Sequence, residues 1–436
     1  MPRNSIITAI DLGTDKCVTL IATPPEDGSP LQVVGVSVVP SRGLRRSTII
    51  NLEQVMETLT ESVDSAERMA GFDIKSAYIS FSGTHIASSN SKGVVAVATP
   101  NQEIVSDDVE RVIEAARAIS LPSDREILHV IPRDFKVDSQ EGIKDPVGMT
   151  GVRLEAEAHI ITGMSTAMRN MEKCMHDLGL SVDGFVFSGL AAGEVVLSET
   201  EKELGVVVVD IGAGSTAICA YVEGSLIYSG VLPIGARHVT QDIALGCRVS
   251  LDNAEKIKLS LSNTDLQTML PIPGESKEDL NRRRKRADEF NPKSIGIEES
   301  MEILSKRALI EGIIGPRLKE MCQLVNQHLS SKELMGQVPA GLVLTGGGAD
   351  TVGLIEVAKR TLSLPVRIGK PIELNGLVHD IQKPAFATSI GLLIYGKRKG
   401  GSVAAKPTFS FSGIGKHLPF GKMLSGLTKL IKSVIP

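Results

Sequence analysis

The strongest constraint on the fold is a run of four valines at residues 206–209, followed by Asp-Ile-Gly-Ala-Gly-Ser-Thr. Consecutive β-branched residues predict a buried strand, and the glycines after it predict a tight turn. Backbone N–H groups in such a turn, with hydroxyls beside them, suit a phosphate, and an aspartate at the strand end suits a magnesium-bound water. A hairpin turn without a ligand is the alternative. The candidate residues here are Asp210, Gly212, Gly214, Ser215 and Thr216.

A second copy of this pattern lies near the start of the chain. Residues 6–10 are an apolar run, followed by Asp-Leu-Gly-Thr. The two aspartates are roughly 200 residues apart, a spacing that favours two similar lobes over a short-period repeat protein. The candidate residues are Asp11, Gly13, Thr14 and Lys16. Lys16 could neutralise a phosphate, and an exposed turn lysine is the alternative.

A third glycine turn, Gly346-Gly347-Gly348, follows another apolar strand. Two Asp–Gly loops with a later Gly-Gly-Gly turn resemble the actin-like ATPase superfamily. The resemblance implies a two-lobed α/β fold that binds ATP, with Asp11 and Asp210 holding Mg²⁺ through water and the third turn by the adenosine. It also implies that Glu255 and Lys258 approach the ribose and adenine. These two residues share a helix face, so a surface ion pair is the alternative.

Composition limits the class of protein further. The 436 residues are 42% hydrophobic and 22% charged, which fits a soluble globular protein with two or more packed units. A net charge of −4 and only 3% aromatic residues argue against nucleic acid as a partner. The five cysteines form no CxxC pair, which predicts reduced thiols in the cytoplasm. We find neither a signal peptide nor an apolar run long enough to span a bilayer.

Other stretches resemble the FtsA family of bacterial actin homologues. These are Leu128-His-Val-Ile-Pro132 followed by the glycine-rich residues 142–151, and residues 384–396, which we interpret as a closing strand. For residues 128–151 the alternative is an ordinary small α+β lobe. His129 and His159 are predicted to be packed or surface histidines. Residues 188–192 contain no Gln or Glu, and Glu194 is interpreted as a helix-surface residue. The resemblance therefore implies ATP binding with at most slow hydrolysis.

The resemblance also implies a domain plan. We predict a first actin-like lobe, an inserted small α+β subdomain, a second lobe, a smaller subdomain within it, a flexible linker and a C-terminal amphipathic helix. The predicted boundaries are, in that order, 1–82 with 154–188, 83–153, 189–245 with 325–396, 246–324, 397–421 and 422–436.

Residues 298–329 have a helical pattern that resembles the FtsA helices on which the C-terminal tail of FtsZ, a tubulin homologue, docks. Arg307 and Arg317 are the candidates for meeting that acidic tail, and structural ion pairs with Glu311 and Glu320 are the alternative. The basic run at residues 282–286 is interpreted as a solvated loop, with binding to nucleic acid or acidic lipid as the alternative.

The last residues predict an amphipathic helix after a Gly/Ser/Pro/Lys-rich linker. Such a helix fits a membrane surface, and a partner groove is the alternative. The candidate membrane residues are Met423, Leu424, Leu427, Lys429, Leu430, Ile431, Lys432, Val434 and Ile435.

The resemblance implies a cell division protein that polymerises on the cytoplasmic face of the inner membrane. Its implied partners are FtsZ at the septum, other copies of itself, an anionic membrane surface and later division proteins. Two alternatives are another membrane-associated actin homologue, for shape or pilus assembly, and an actin-fold small-molecule kinase.

Overall fold

The structure is a computed structural model, which describes residues 6–24, 29–98, 103–262, 275–297, 303–372, 374–376 and 381–400. The predicted membrane residues, from Met423 to Ile435, lie outside the described residues. So does most of the predicted linker.

The described strands are given first, in chain order. They are β1 (Ile7–Leu12), β2 (Lys16–Thr23), β3 (Gln32–Pro40), β4 (Leu44–Arg45), β5 (Thr48–Ile49), β6 (Ser76–Phe81), β7 (Ala87–Ala96), β8 (Arg125–Val137), β9 (Gln140–Ile143), β10 (Arg153–Met164), β11 (Ser181–Phe187), β12 (Val206–Ile211), β13 (Thr216–Val222), β14 (Ser225–Leu232), β15 (Glu289–Phe290), β16 (Leu304–Ser305), β17 (Gly341–Thr345), β18 (Val366–Ile368) and β19 (Asn375–Gly376).

The described α-helices follow in the same order. They are α1 (Leu52–Ala70), α2 (Ser106–Arg117), α3 (Ser165–Asp177), α4 (Ser188–Val196), α5 (Glu199–Leu204), α6 (Ala236–Cys247), α7 (Leu251–Ser262), α8 (Lys277–Asp288), α9 (Lys306–Leu309), α10 (Gly315–Ser331), α11 (Leu354–Leu362) and α12 (Ala387–Gly400). A π-helical turn, Ile310–Ile314, joins α9 to α10, and a 3₁₀ turn, Pro384–Phe386, leads into α12.

Five strands of each large sheet have the same order when the second sheet is read from β18 to β14. The first runs β11-β6-β1-β2-β3-β19 and the second runs β14-β13-β12-β17-β18. In each sheet the Asp-bearing strand pairs antiparallel with the next strand of the chain and parallel with a later one. The repeated Asp–Gly pattern of the sequence therefore marks a repeated sheet, and the predicted two-lobed α/β architecture is confirmed.

The central strand β12 shows why a run of valines was needed. Val206 and Val208 pack into one hydrophobic cluster, while Val207 and Val209 pack into another on the opposite face. All four side chains are at most 1% exposed. Strands with parallel neighbours are often covered on both faces, so they are apolar at every position. Each buried valine contributes on the order of 1.5–3 kcal/mol through removal from water.

Helix α1 is an example of local signals fixing an element. The Asn51 side chain accepts a hydrogen bond from the Gln54 N–H at 3.1 Å and caps the first turn. Gly71 ends the helix in the left-handed conformation, with φ of 72°. An N-cap of this kind contributes about 1 kcal/mol. Helix α1 covers the first sheet on one side and places the preceding hairpin, β4–β5, at the cleft between the lobes.

The inserted segment has its own sheet, in the order β7-β10-β8-β9, with α2 packed on it and a small core that includes Ile104, Phe135 and Leu154. Strand β10 departs from the prediction. We expected residues 154–161 to return to the first lobe, but β10 pairs with β7 and β8 across almost its whole length. Its alternating sequence predicts a strand without specifying the sheet, because pairing partners are distant in sequence. The domain boundaries themselves remain predictions.

Three further expectations are wrong. Residues 384–396 do not form a strand but the 3₁₀ turn and most of α12. Helix α12 continues to Gly400, so residues 397–400 are helical where a linker was predicted. The basic run at residues 282–286 lies within α8 and not in a loop, because Ser276 caps that helix and Glu278 and Asp279 occupy its first turn.

Two smaller expectations, for the histidines and the cysteines, are confirmed. His159 is 1% exposed and His129 is 7% exposed, so both are packed histidines. All five cysteines are free thiols. None of the helices among the described residues is both long enough and apolar enough to cross a bilayer.

Candidate functional site

Two tight turns follow β1 and β12, and their geometry is the same. The Gly13 N–H donates to the Lys16 carbonyl at 3.0 Å, and the Gly212 N–H donates to the Ser215 carbonyl at 2.9 Å. A Cβ would lie 2.9 Å from that carbonyl oxygen at Gly13 and 3.0 Å from it at Gly212. A larger residue would force the first turn to shift and would crowd the second, so glycine suits both positions.

Of the aspartates before these turns, Asp11 is half-buried and Asp210 is buried. Burial raises the pKa of Asp11, while hydrogen bonds from Ser80 and Ser389 and the charge of Lys16 act in the opposite direction. Burial, together with the negative charge of Asp11, raises the pKa of Asp210 to about 7. The two carboxylates therefore repel each other when both are ionised, and a cation between them would relieve that repulsion.

These two carboxylates fit a magnesium ion of the kind found with nucleotides. Mg²⁺ takes oxygen ligands, keeps several waters, and commonly uses one or two carboxylates together with phosphate oxygens. No cluster of three or more His, Cys, Asp or Glu in the described part of the chain could hold a metal ion. The donor set therefore fits an ion that is held chiefly by water and phosphate, with Asp11 and Asp210 beside it.

The third glycine turn lies directly against the second aspartate. Gly346 has φ of +84°, and a Cβ there would clash with Asp210 Oδ1. The Gly346 N–H donates to the Pro384 carbonyl at 3.1 Å, and the Gly348 N–H donates to the Ile211 carbonyl at 2.8 Å. A position with both a positive φ and a clashing Cβ accepts only glycine without strain.

A cleft of about 460 Å³ lies between the two sheets, within the usual size range of a small-molecule site. Most of the candidate nucleotide residues line it. These are Asp11, Gly13, Thr14, Lys16, Asp210, Gly212, Ser215, Glu255, Lys258, Gly346 and Gly347.

Three candidates do not line the cleft. Gly214 packs against the first turn, where a Cβ would lie 2.7 Å from Thr14 Oγ1. Thr216 is 2% exposed, and its hydroxyl donates to the Ile234 carbonyl at 2.7 Å. Gly348 packs against Ile211. These residues shape the turns, and the expected contact of the Thr216 hydroxyl with a phosphate is wrong in this structure.

Lys16 points into the site and not into solvent. Its ammonium lies 3.7 Å from the centre of the Phe386 ring. Burial lowers the pKa of Lys16, whereas the charges of Asp11, Asp15 and Asp210 raise it. Lys16 lines the cleft, so its ammonium can reach a ligand there, and the alternative of an exposed turn lysine is wrong.

Glu255 and Lys258 form an ion pair, but not on the surface. Lys258 Nζ donates to Glu255 Oε2 at 2.7 Å and to Thr240 Oγ1 at 3.1 Å, and the Lys258 side chain is only 7% exposed. The Thr240 hydroxyl donates to the same Glu255 oxygen at 2.6 Å. Glu255 is 35% exposed, and the pair lies on the cleft wall of the second lobe, where it can contact a ligand between the lobes.

Sequence reasoning missed residues that complete the cleft. The Ser47 hydroxyl lies 2.8 Å from the Ser215 hydroxyl, and the Ser47 N–H donates to Thr14 Oγ1 at 3.0 Å. Both interactions come from the tip of the β4–β5 hairpin, a stretch without a recognisable motif. Thr388 and Ser389 also reach the two aspartates. A hydroxyl pair on a helix carries no local signal for this role, because its partners are far away in sequence.

The two candidate partner-binding arginines differ in side-chain exposure and in ion pairing. The Arg317 side chain is 24% exposed, and its Nε and Nη2 donate to the Asp242 carboxylate at 2.6 and 3.0 Å. Arg317 also pairs with Glu320. The Arg307 side chain is 63% exposed and has a long contact, 3.7 Å, to Glu311. Glu194, which we expected on a helix surface, is 14% exposed and pairs with Arg398 of α12.

The fold and the cleft together define a class of protein. Two sheets of matching order, each with an Asp–Gly turn facing one cleft, are the architecture of actin-like ATPases. Solved structures with the same fold include the PilM-PilN type IV pilus biogenesis complex, with a TM-score of 0.60, 17% identity and coverage of 90% of this chain and 99% of that one. Another is MreB5 of Spiroplasma citri bound to AMPPNP, with a TM-score of 0.50, 12% identity and coverage of 91% and 96%.

Sequence comparison narrows this class to one family. The profile for the "SHS2 domain inserted in FTSA" matches residues 83–162, and the profile for "Cell division protein FtsA" matches residues 207–391. The cell division protein FtsA of Pseudomonas aeruginosa is 38% identical over 394 residues, which cover 90% of each chain. This chain belongs to the FtsA family of cell division proteins.

Proposed function

We propose that this protein binds ATP with Mg²⁺ in the cleft, polymerises on the cytoplasmic face of the inner membrane, and tethers FtsZ there at the division septum. The observation that carries the nucleotide part is the pair of matching Asp–Gly turns, which face one cleft from opposite lobes. Membership of the FtsA family supports the role in division. The nucleotide reported with MreB5 supports ATP as the ligand.

Each part of the cleft has a definite task in this proposal. The remaining N–H groups of the two turns and the Thr14 and Ser215 hydroxyls bind the phosphates, and Lys16 neutralises part of their charge. Gly346 and Gly347 leave room for the adenosine, while Glu255 and Lys258 contact the ribose or the base. Asp11 and Asp210 would hold Mg²⁺ through water, and the ion would supply charge neutralisation there.

ATP serves mainly as an assembly ligand, with slow hydrolysis at most. The described residues that line the cleft include no Gln, and the only Glu among them is Glu255. Glu255 is already bound by Lys258 and Thr240, so it is poorly placed to orient an attacking water. Substantial phosphate release by purified, lipid-bound protein would contradict this part of the proposal.

Membrane attachment depends on the sequence of residues 422–436. Apolar residues on one helical face with flanking lysines suit the surface of an anionic membrane. Each lysine near such a surface contributes about 1 kcal/mol, so one copy binds reversibly. A polymer presents many copies together, which raises the avidity steeply.

The test is co-sedimentation of FtsZ with anionic vesicles, with and without ATP. The full chain is compared with a chain that ends at Gly421. We expect the full chain to carry FtsZ down with the vesicles and the shortened chain to leave both proteins in solution. If FtsZ stays in solution with the full chain, the tethering role is wrong, whereas the nucleotide-binding proposal is tested separately below.

The docking of the FtsZ tail is best tested at Arg307, because Arg317 is held by Asp242 and Glu320. We expect Arg307→Ala to weaken binding of an FtsZ C-terminal peptide, measured by fluorescence anisotropy. The matched control is Lys319→Ala, which removes an exposed positive charge from the next helix. Equal binding by the two variants would exclude Arg307 as the docking residue.

A further inference from the structure

One short segment contacts the third glycine turn, Lys16 of the first turn, and the aspartates that precede the first two turns. The Pro384 carbonyl accepts a hydrogen bond from the Gly346 N–H, and the Phe386 ring lies under the Lys16 ammonium. The next residue, Ala387, begins helix α12. There the Thr388 hydroxyl donates to Asp210 Oδ2 at 3.1 Å, and the Ser389 hydroxyl donates to Asp11 Oδ2 at 3.2 Å.

The two aspartates come from different lobes, yet consecutive residues of one helix hold them. Thr388 is 7% exposed and Ser389 is fully buried. Hydroxyls inside helices often bond to the carbonyl one turn earlier, where they have little influence on other elements. Here both hydroxyls donate to carboxylates, which makes stronger, charge-assisted hydrogen bonds.

Helix α12 is itself fixed against both lobes. A Cβ at Gly391 would clash with the Ala191 carbonyl of α4, so the two helices cross at backbone distance. A Cβ at Gly396 would lie 2.8 Å from Ile7 of β1 and from the Tyr78 ring. Contacts this close allow little sliding, so the positions of Thr388 and Ser389 are set by the body of the molecule.

We propose that Thr388 and Ser389 are positioning residues, which set the distance and orientation of Asp11 relative to Asp210 for the hydrated Mg²⁺ of the bound nucleotide. This inference rests on the proposed nucleotide function and adds to it the residues that place the two carboxylates. Partners that orient metal-binding carboxylates typically change metal affinity 10–100-fold when removed. The loss belongs to the magnesium-dependent part of nucleotide affinity only.

The test measures the affinity of a fluorescent ATP analogue in Mg²⁺ and in EDTA, together with a magnesium titration at fixed nucleotide. We expect Thr388→Val and Ser389→Ala each to lower the affinity in Mg²⁺ by about 10-fold. Affinity in EDTA stays as in the wild type. Thr388→Ser keeps the hydroxyl and restores most of the magnesium dependence.

Matched controls are Thr58→Val and Ser62→Ala in α1. Both residues are buried helical hydroxyls with hydrogen-bond partners, and neither lines the cleft. Each control loses hydrogen bonding to neutral partners, outside the cleft, and leaves both affinities unchanged. Thermal melting of all variants shows whether folding is retained.

The outcomes separate this inference from the proposed function. Wild-type protein that does not bind the analogue in Mg²⁺ overturns the proposed function and this inference together. Wild-type binding with unaltered magnesium dependence in both variants overturns only the inference. Equal weakening in Mg²⁺ and EDTA also overturns it, because a purely structural role does not distinguish the two conditions.

Discussion

The turn after β1 and the turn after β12 are alike in backbone and unlike in side chains. Both close with a glycine N–H bonded to a carbonyl three residues later, and both follow the central strand of a sheet with the same order. Only the first turn carries a cation, Lys16. The second turn approaches the first lobe most closely at Gly214, where its backbone packs against Thr14 and Arg46.

This difference separates what the repeated fold provides from what the site adds. The repeat supplies two turns of the same backbone geometry and two aspartates in matching positions. The asymmetry supplies one positive charge, from the first lobe, and one close contact between the turns, made by the second lobe. We therefore expect equivalent substitutions in the two turns to have similar effects where the backbone decides, and different effects where the side chains decide.

The largest expected effect comes from replacing either aspartate. Asp11→Asn and Asp210→Asn should each lower the affinity for ATP in Mg²⁺ by about 100-fold or more, since in the proposed function each removes a carboxylate that holds the metal. Titration with a fluorescent ATP analogue measures this. Asp64→Asn, on the exposed face of α1, serves as the control. A small effect at one aspartate alone would break the functional equivalence of the two turns.

Without a ligand, the stability of Asp210→Asn should differ from that of the wild type in a pH-dependent way. The pKa of Asp210 is raised to about 7 in the folded protein, from the ordinary value of 3.8. Folding therefore disfavours the ionised form of Asp210. As the pH rises from 4 to 7, this residue lowers the free energy of unfolding of the protein. In EDTA, Asp210→Asn should melt above the wild type at pH 8, and this difference should shrink towards pH 4. A constant difference across that range would contradict the raised pKa.

The next effect tests the third turn. Gly346→Ala should destabilise the protein by at least about 2 kcal/mol, because the residue has a positive φ and its Cβ would clash with Asp210. Gly347→Ala is the matched control in the same turn, since no atom lies within 4 Å of its Cβ position and its φ is not in the left-handed region. Chemical denaturation measures both. Equal losses would show that the turn, and not the aspartate, limits position 346.

Lys16 tests the charge asymmetry directly. Lys16→Met removes the cation while keeping most of the side-chain volume, and it should lower ATP affinity by about 10-fold, or 1.4 kcal/mol. The loss should be larger for ATP than for AMP, because it depends on phosphate charge. Lys75→Met, at an exposed position, is the control. An equal loss for the two nucleotides would mean that Lys16 acts through its packing on Phe386.

Much of this fold could be predicted from sequence, because the repeated turns carry local signals. The aspartate, the glycines and the apolar strand before them are consecutive, so the matching lobes and most residues of the cleft could be predicted. Helix α12 could not be predicted. Residues 384–396 are almost entirely apolar or small, and a short apolar stretch fits a buried helix as well as a strand.

The site residues that sequence reasoning missed share one physical property. Ser47, Thr388 and Ser389 act through partners 33 to 378 residues away along the chain. Nothing in their own neighbourhood distinguishes them from ordinary polar residues. Thr216 shows the opposite error. It lies within the motif and was predicted to contact a ligand, but its hydroxyl donates to the Ile234 carbonyl.

The smallest expected effect concerns the contact between the turns. Ser47 has φ of 60°, a left-handed conformation that costs a non-glycine residue about 1–2 kcal/mol, and its hydroxyl contacts Ser215. Ser47→Ala keeps the strain and loses the hydrogen bond, so it should destabilise the protein by about 1 kcal/mol. Ser47→Gly loses the same bond but relieves the strain, and should stay within about 0.5 kcal/mol of the wild type. Denaturant titration distinguishes them, and an alanine variant as stable as the glycine variant would show that the hairpin tip carries no strain.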